Sequence, residues 1–344
     1  MEGLKVSNEV RTRDFERNFF RLRTKLIALA IVGLGVFAFP LVFPQSYWIT
    51  ILIYVGIYGL IVVGYDLLLG YCGQISLGHN GLFAIGSYAT AIMTAWLGWP
   101  PLIAMGAGVL ITVLIAFFVG IPTLRLKGYY LAIATLGFAF IVESLIRTEY
   151  FGGSSGIRKI PPFGLLGFVF DSDTSYYYLV WSIVAVAVLV CLRICETALG
   201  RSMKAVHTDE DAAGSMGINV AKTKLQAFVF SAALAAVAGS LYAHYATVIA
   251  PGSFNIMVSV KLLLMLYLGG SGTIYGGLLG AFILFALPEW LEHLERFELA
   301  LEGIIFMVIL IFLPGGLVGG LGKLSGLSRA IYSAGKKGKR NSQH

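Results

Sequence analysis

Between Leu26 and Leu313 the chain is a succession of apolar runs separated by short polar turns, and that succession decides the class of fold before any motif is read. A helix needs roughly 20 apolar residues to cross about 30 Å of hydrocarbon. Runs of this kind, several of them short, lie at about Leu26–Phe43, Ile49–Leu69, Leu82–Leu97, Leu102–Ile121, Tyr129–Ile146, Tyr176–Ile194, Leu225–Val248, Met257–Leu268, Ile274–Leu287 and Leu299–Leu313. The expectation is an all-α integral membrane protein, a bundle of about ten transmembrane helices, because barrel strands would be shorter and would alternate. Composition agrees. With 58% hydrophobic and 12% charged residues, the chain falls far below the roughly 25% charged content of soluble domains.

Basic residues give the expected sidedness, since loops rich in Lys and Arg stay in the cytoplasm. An N-terminal arm, residues 1–25, carries Lys5, Arg11, Arg13, Arg17, Arg21, Arg23 and Lys25. The longest polar interruption, Glu196–Lys224, carries Arg201, Lys204, Lys222 and Lys224; a tail over 316–344 carries Lys323, Arg329, Lys336, Lys337, Lys339 and Arg340. A count of ten crossings in the 26–315 domain, six before the large loop and four after it, puts all three on the same, cytoplasmic side, both termini included. The opposite side receives Pro44–Trp48, the Thr148–Ser175 loop with Asp171 and Asp173, and the acidic Glu289–Glu298 connection. The arm leads into a full-length span without a small-residue cleavage site, which reads as a retained signal anchor. Net charge of +7 is accounted for by topology and by attraction to anionic membrane lipid, with no nucleic-acid partner implied. Cys191 and Cys195 fall where a span meets the large loop, in a reducing compartment, and imply no disulfide framework.

Two glycine-rich interruptions stand inside apolar sequence: GYCGQISLGHNGLFAIG (Gly70–Gly86) and YLGGSGTIYGGLLGAF (Tyr267–Phe282). Irregular backbone at membrane depth is tolerated only where protein or a water-filled path surrounds it, so Gly73, Gln74, Ser76, His79 and Asn80, with Gly269, Gly270, Ser271 and Gly272, are candidate elements of a translocation pathway. The plainer reading is close helix packing through small residues, and the sequence leaves both open. Charge within the runs is sparse. Asp66, Glu143 and Lys261, with Arg147 at a boundary, lie near expected interfaces, where snorkelling or a packing salt bridge accounts for them.

Chemistry-bearing motifs are missing. The nearest approach to a Walker A loop, Gly322-Lys323-Leu324, lacks the upstream glycine and the hydroxyl that would hold magnesium. There is no HExxH, no Cys/His cluster and no G-x-S-x-G elbow; His79, His207 and His244 are scattered. The chain is therefore expected to be neither an enzyme nor the holder of a cofactor or metal. The large loop instead contains a short helix with legible ends: Thr208 as cap, Asp209, Glu210 and Asp211 at the positive end of the dipole, and Gly217 at a left-handed exit. Its length is about eight residues, too short to be stable alone, and Ala212, Ala213 and Met216 form a small knob for docking.

Asp211-Ala212-Ala213 followed by Gly217 resembles the E-A-A-x-x-x-G signature of bacterial ABC-importer permeases, with Asp in place of Glu. Around it Gly200–Ala243 resembles the permeases of branched-chain amino acid importers, as do Tyr65–Ala91, Leu124–Phe138 and Phe151–Ile157. The likeness runs from about Tyr54 to Gly315 and favours the LivM-type subunit over its LivH-type partner, given the basic arm and LRLKGYYLAIATLGF. It implies a bacterial inner-membrane complex of this chain with a second, LivH-type permease, two cytoplasmic ABC ATPases that bind ATP and Mg, and a periplasmic substrate-binding protein. In it Thr208, Asp209, Glu210, Asp211, Ala212, Ala213, Met216 and Gly217 would form a coupling helix seated on an ATPase. The solute class would be branched-chain or related amino acids. The alternative is a self-sufficient secondary transporter or channel for small polar solutes.

Overall fold

The computed structural model describes residues 46–165 and 168–291, with isolated positions at 37, 39, 40, 303, 304, 307, 311, 316 and 317. The chain divides into two compact units at Ile49, and every contact below lies within the second, from Thr50 onward. Ten helices are described: α1 (Ser46–Asp66), α2 (His79–Ala91), α3 (Pro101–Thr123), α4 (Tyr129–Ile146), α5 (Asp173–Glu196), α6 (Ala198–Thr208), α7 (Glu210–Ser215), α8 (Val220–Ala246), α9 (Ile256–Gly269) and α10 (Gly276–Leu291). Single π-helical stretches, Leu67–Tyr71 and Ile92–Trp96, prolong α1 and α2. α1, α3, α4, α5 and α8 are long and apolar enough to cross a membrane; α9 and α10 are shorter apolar helices. The two runs at 26–43 and 299–313 lie outside the described residues, apart from isolated positions.

α1 is apolar on all sides and sits at the centre, with Ile53, Val55, Ile57, Leu60, Ile61, Val62 and Val63 buried, as expected of a helix with no solvent-facing stripe. α3, α4 and α5 are peripheral. They turn Leu110, Phe118, Ile133, Ile141 and Val186 outward, a surface suited to lipid or a second apolar chain. Helix ends follow local rules: Pro101 opens α3 where a missing N–H costs nothing, Ser172 caps α5 by accepting from Ser175 N, and Asn219 caps α8 by accepting from Lys222 N.

α8 crosses α2 with backbones nearly in contact. A Cβ at Gly86 would lie 2.7 Å from the Ala236 carbonyl oxygen, and one at Gly239 would collide with the Phe83 carbonyl and lie 2.7 Å from Ser87 N. Small residues at such crossings let helices associate by dispersion where lipid supplies no hydrophobic drive.

The bundle has two ends. At the loop end lie Gly70, the α3–α4 turn with Lys127, α6, α7, the start of α8 and Gly272, tied by His207 to Gly70, Lys127 to Asp211 and Gly272 to Asp66. At the far end the 148–172 connection, with its short hairpin β1 (Gly164–Leu165) and β2 (Phe168–Val169), is fastened to the end of α8 by an antiparallel bridge between Ile157 and Ile249 and by the Pro161 carbonyl, which accepts from His244 Nδ1 at 2.7 Å.

Gly239→Val should lower the melting temperature of the purified protein, since overpacking a tight crossing costs about 1–3 kcal/mol or more. Gly106→Ala, where an added Cβ would meet nothing within 4 Å, should leave it unchanged. Size-exclusion-monitored melting in detergent tests the pair; equal melting for both would mean that the α2–α8 crossing is not tight.

Candidate functional site

α6 lies along the bundle with Gly200, Met203 and Val206 buried and Arg201 and Lys204 outward. It ends at Thr208, whose hydroxyl donates back to the Lys204 carbonyl at 3.0 Å. The cap of α7 is therefore Asp209, not Thr208 as the sequence suggests. The chain is extended at Asp209, and its Oδ1 accepts from the amides of Asp211 and Ala212, both at 2.9 Å. A carboxylate there also meets the positive end of the helix. α7 has six residues rather than about eight. It leaves through Gly217 at φ 84°, a left-handed conformation that suits glycine, with Ile218 N bonded to the Ala213 carbonyl.

The knob is split between two faces. Ala213 is buried against the bundle, whereas Asp211, Ala212 and Met216 are exposed, Met216 at 83%. Asp211 pairs with Lys127 at 2.9 Å, and both side chains stay largely in solvent. The hydrogen bond from Lys127, and then its charge, holds the Asp211 carboxyl below the usual carboxylate range; Lys127 is raised in turn by the same contact. Glu210 turns the other way. Its Oε1 accepts from Lys224 Nζ at 2.6 Å and from Gln74 Nε2 at 3.1 Å, with Lys224 2% and Glu210 19% exposed.

Gln74 belongs to the first glycine-rich segment. After the π-helical turn the backbone is non-helical from Cys72 to Gly78, starting at Gly73, whose φ of 72° an L side chain would resist. His207 of α6 closes on it: the Gly70 carbonyl accepts from His207 Nδ1 at 3.0 Å, and a Cβ on Gly73 would stand 3.1 Å from the ring. Further along, Tyr65 Oη donates to the Ser76 carbonyl at 2.7 Å, Leu77 N donates to Thr135 Oγ1, and His79 Nε2 meets Ser231 Oγ at 2.7 Å. Asn80 donates to the carbonyls of Phe254 and Asn255 and accepts from Ser259 Oγ at 2.6 Å. Gln74, Ser76, His79 and Asn80 are all buried, and their bonds run to α1, α7, α8 and α9.

In the second segment Gly269 and Gly270 are buried, Ser271 is exposed and Gly272 sits at φ 79°. The Gly272 amide donates to Asp66 Oδ1 at 2.7 Å, and an added Cβ on Gly70 would strike both groups. The two glycine-rich segments thus meet at the loop end. Asp66 is fully buried on a backbone amide, which corrects the expectation of snorkelling or a packing salt bridge; the reason is that the adjoining unwound turn offers an amide no helix uses. Glu143 does pair with Arg147, at 2.7 Å, and Lys261 is exposed. Among the described residues no three His, Cys, Asp or Glu side chains converge to hold a metal. Three contacts escaped the sequence: Lys127 with Asp211, Gly272 with Asp66, and Glu210 with Lys224 and Gln74. Their partners are 84 to 206 residues apart, apart from Glu210 and Lys224, whose spacing crosses a turn and follows no helical period.

A family model described as branched-chain amino acid transport system / permease component matches residues 47–314, nearly the whole described fold. The chain belongs to this family. The permease is 31% identical over 325 residues to the high-affinity branched-chain amino acid transport system permease protein LivM of Salmonella typhimurium, covering 86% of this chain and 75% of that one. Against LivM of Escherichia coli K12 the identity is 30% over the same shares, and against LivH of that strain it is 26% over 288 residues, 76% of this chain and 91% of LivH. No solved structure matches. The permease is thus a multi-pass transport subunit, of a family that includes both LivM and LivH, and not a catalytic enzyme.

Asp209→Ala should destabilise α7 by about 1 kcal/mol, the usual cost of a lost cap, and speed hydrogen exchange of the Asp211 and Ala212 amides. Thr208→Ala should leave those amides unchanged; faster exchange there would return the cap to Thr208.

Proposed function

We propose that the permease is the LivM-type, pore-forming subunit of an ATP-driven importer of branched-chain or related amino acids, acting with a LivH-type permease, two cytoplasmic ABC ATPases that hold ATP and Mg, and a periplasmic binding protein. The observation that carries this reading is the outward face of α7. A six-residue helix is marginal in water, yet this one is capped at both ends and presents Asp211, Ala212 and Met216 unburied, which suits a cleft in a partner. Hydrolysis in the ATPases displaces the loop, and the two permeases alternate between outward-open and inward-open forms around a path at their interface. Selectivity resides largely in the binding protein. The two glycine-rich segments serve as candidate pathway elements, with Ser76, His79, Asn80, Gly269 and Gly270 buried in the bundle and Gly73, Gln74, Ser271 and Gly272 nearer the loop.

The loop end carries Arg125, Lys127, Arg201, Lys204 and Lys222, which supports a cytoplasmic loop, cytoplasmic termini and about ten crossings in a bacterial inner membrane, flanked by the basic arm and tail. A cysteine at Ser215 should be labelled only from the cytoplasm and one at Ser155 only from outside. Cys72, Cys191 and Cys195 are buried and give little background. Labelling of both from one side would refute the topology.

The coupling role is tested at Gly217. Adding a β-branched side chain at φ 84° costs roughly 1 kcal/mol or more through backbone strain alone, because an added Cβ would meet nothing within 4 Å. Gly217→Val should insert into the membrane normally but lose ATPase co-purification and uptake in reconstituted vesicles. Undiminished uptake, or uptake by the permeases without ATPases, would favour a self-sufficient transporter.

A further inference from the structure

The inward face of α7 does not address a partner. Glu210 gives one oxygen, Oε1, to both Lys224 and Gln74, and the cation beside it is 2% exposed. A buried ion pair is weak evidence of stability, because desolvation offsets much of the Coulomb gain; its best-attested use is to fix one register between the elements it joins. Here it joins three: α7, the start of α8 at Lys224 and the unwound stretch Cys72–Gly78. Gln74 completes the join by donating from the same Nε2 to the Cys72 carbonyl at 3.1 Å. Asp211–Lys127, the other polar tie of α7, is exposed and screened by salt, so it holds the helix only weakly.

The elements at the two ends of this join differ in stiffness. α8 is a helix of 27 residues locked against α2 by glycine contacts, whereas 72–78 has no helical ladder and is held by individual hydrogen bonds to α1, α4 and α9. We propose that Glu210, Lys224 and Gln74 are positioning residues that carry displacement of the loop into the Cys72–Gly78 segment, so that the helix proposed to meet an ATPase pulls directly on one candidate wall of the pathway. His207, on the Gly70 carbonyl, runs beside it as a second contact from α6. This rests on the coupling reading above and deepens it: Asp211, Ala212 and Met216 face the partner, while Glu210 faces the segment that moves.

The test uses the full complex in proteoliposomes and reads ATP hydrolysed per solute imported, with assembly measured alongside. Gln74→Leu leaves the ion pair in place and cuts only its arm to the unwound segment; the ratio should rise by about twofold to thirtyfold, the span of long-range coupling effects. Glu210→Gln combined with Lys224→Met removes both charges together, leaves neither unpaired, and should raise the ratio by a similar factor. The double variant also decides the matter if Gln74→Leu fails to assemble. A wild-type ratio in either assembled variant overturns the link while leaving the coupling reading intact. Import by the wild-type complex without any ATP hydrolysis removes the coupling reading, and the link with it.

Discussion

In hydrocarbon no water is present to bond a bare amide or carbonyl, and the unwound stretch between Tyr71 and His79 has to meet that constraint inside the bundle. It does so by borrowing partners from four of the helices around it. Tyr65 of α1 takes the Ser76 carbonyl and Thr135 of α4 takes the Leu77 amide. Ser259 of α9 takes the Leu77 carbonyl, and Gln74 bridges from Cys72 to α7. Each lender lies on a different element, so the segment can adopt this path only when α1, α4, α7 and α9 are already together. The break is thus a consequence of the assembled bundle and, once formed, a clamp upon it.

The same constraint explains how the two glycine-rich segments come to touch. Gly272 lies past the end of α9, and its amide has no partner within a helix. Asp66 supplies one from the last turn of α1, and the approach is possible because Gly70, next along that face, has no side chain to fill the gap. An aspartate that reads as an interfacial charge is in fact a surrogate for a missing helical carbonyl.

Much of the fold was legible because apolar period and length are local properties. Eight of the apolar runs correspond to α1–α5 and α8–α10, and the remaining two fall outside the described residues apart from isolated positions. Gly217 was legible for the same reason, since only its own φ is at stake. What was not legible depends on who stands opposite. Thr208 and Asp209 both have cap chemistry, and the choice between them turned on Thr208 being engaged by the preceding helix at Lys204. Lys224 counts in the sequence as one more basic residue of a cytoplasmic loop, yet it is buried; nothing short of seeing Glu210 and Gln74 beside it could tell it from Lys222, which faces solvent. For Ser76, His79 and Asn80 the sequence leaves a polar path and close packing both open, and only the structure shows their partners: Tyr65 on the Ser76 carbonyl, Ser231 on His79 and Ser259 on Asn80.

α7 shows how one short helix can serve two neighbours without conflict. Its successive acidic residues point in different directions: Asp209 back onto its own amides, Glu210 into the bundle and Asp211 outward to Lys127. A run of three carboxylates on one face would repel; distributed around the helix start, each meets positive charge from a dipole, a buried lysine or an exposed one. The exposed pair is weak and exchangeable, so a partner can replace Lys127 at little cost. The buried pair is not, because removing either member strands a charge in the interior. Contact strength therefore rises from the surface of the loop toward the unwound segment, the order that would suit the proposed coupling helix, which would exchange contacts outside while keeping its grip within.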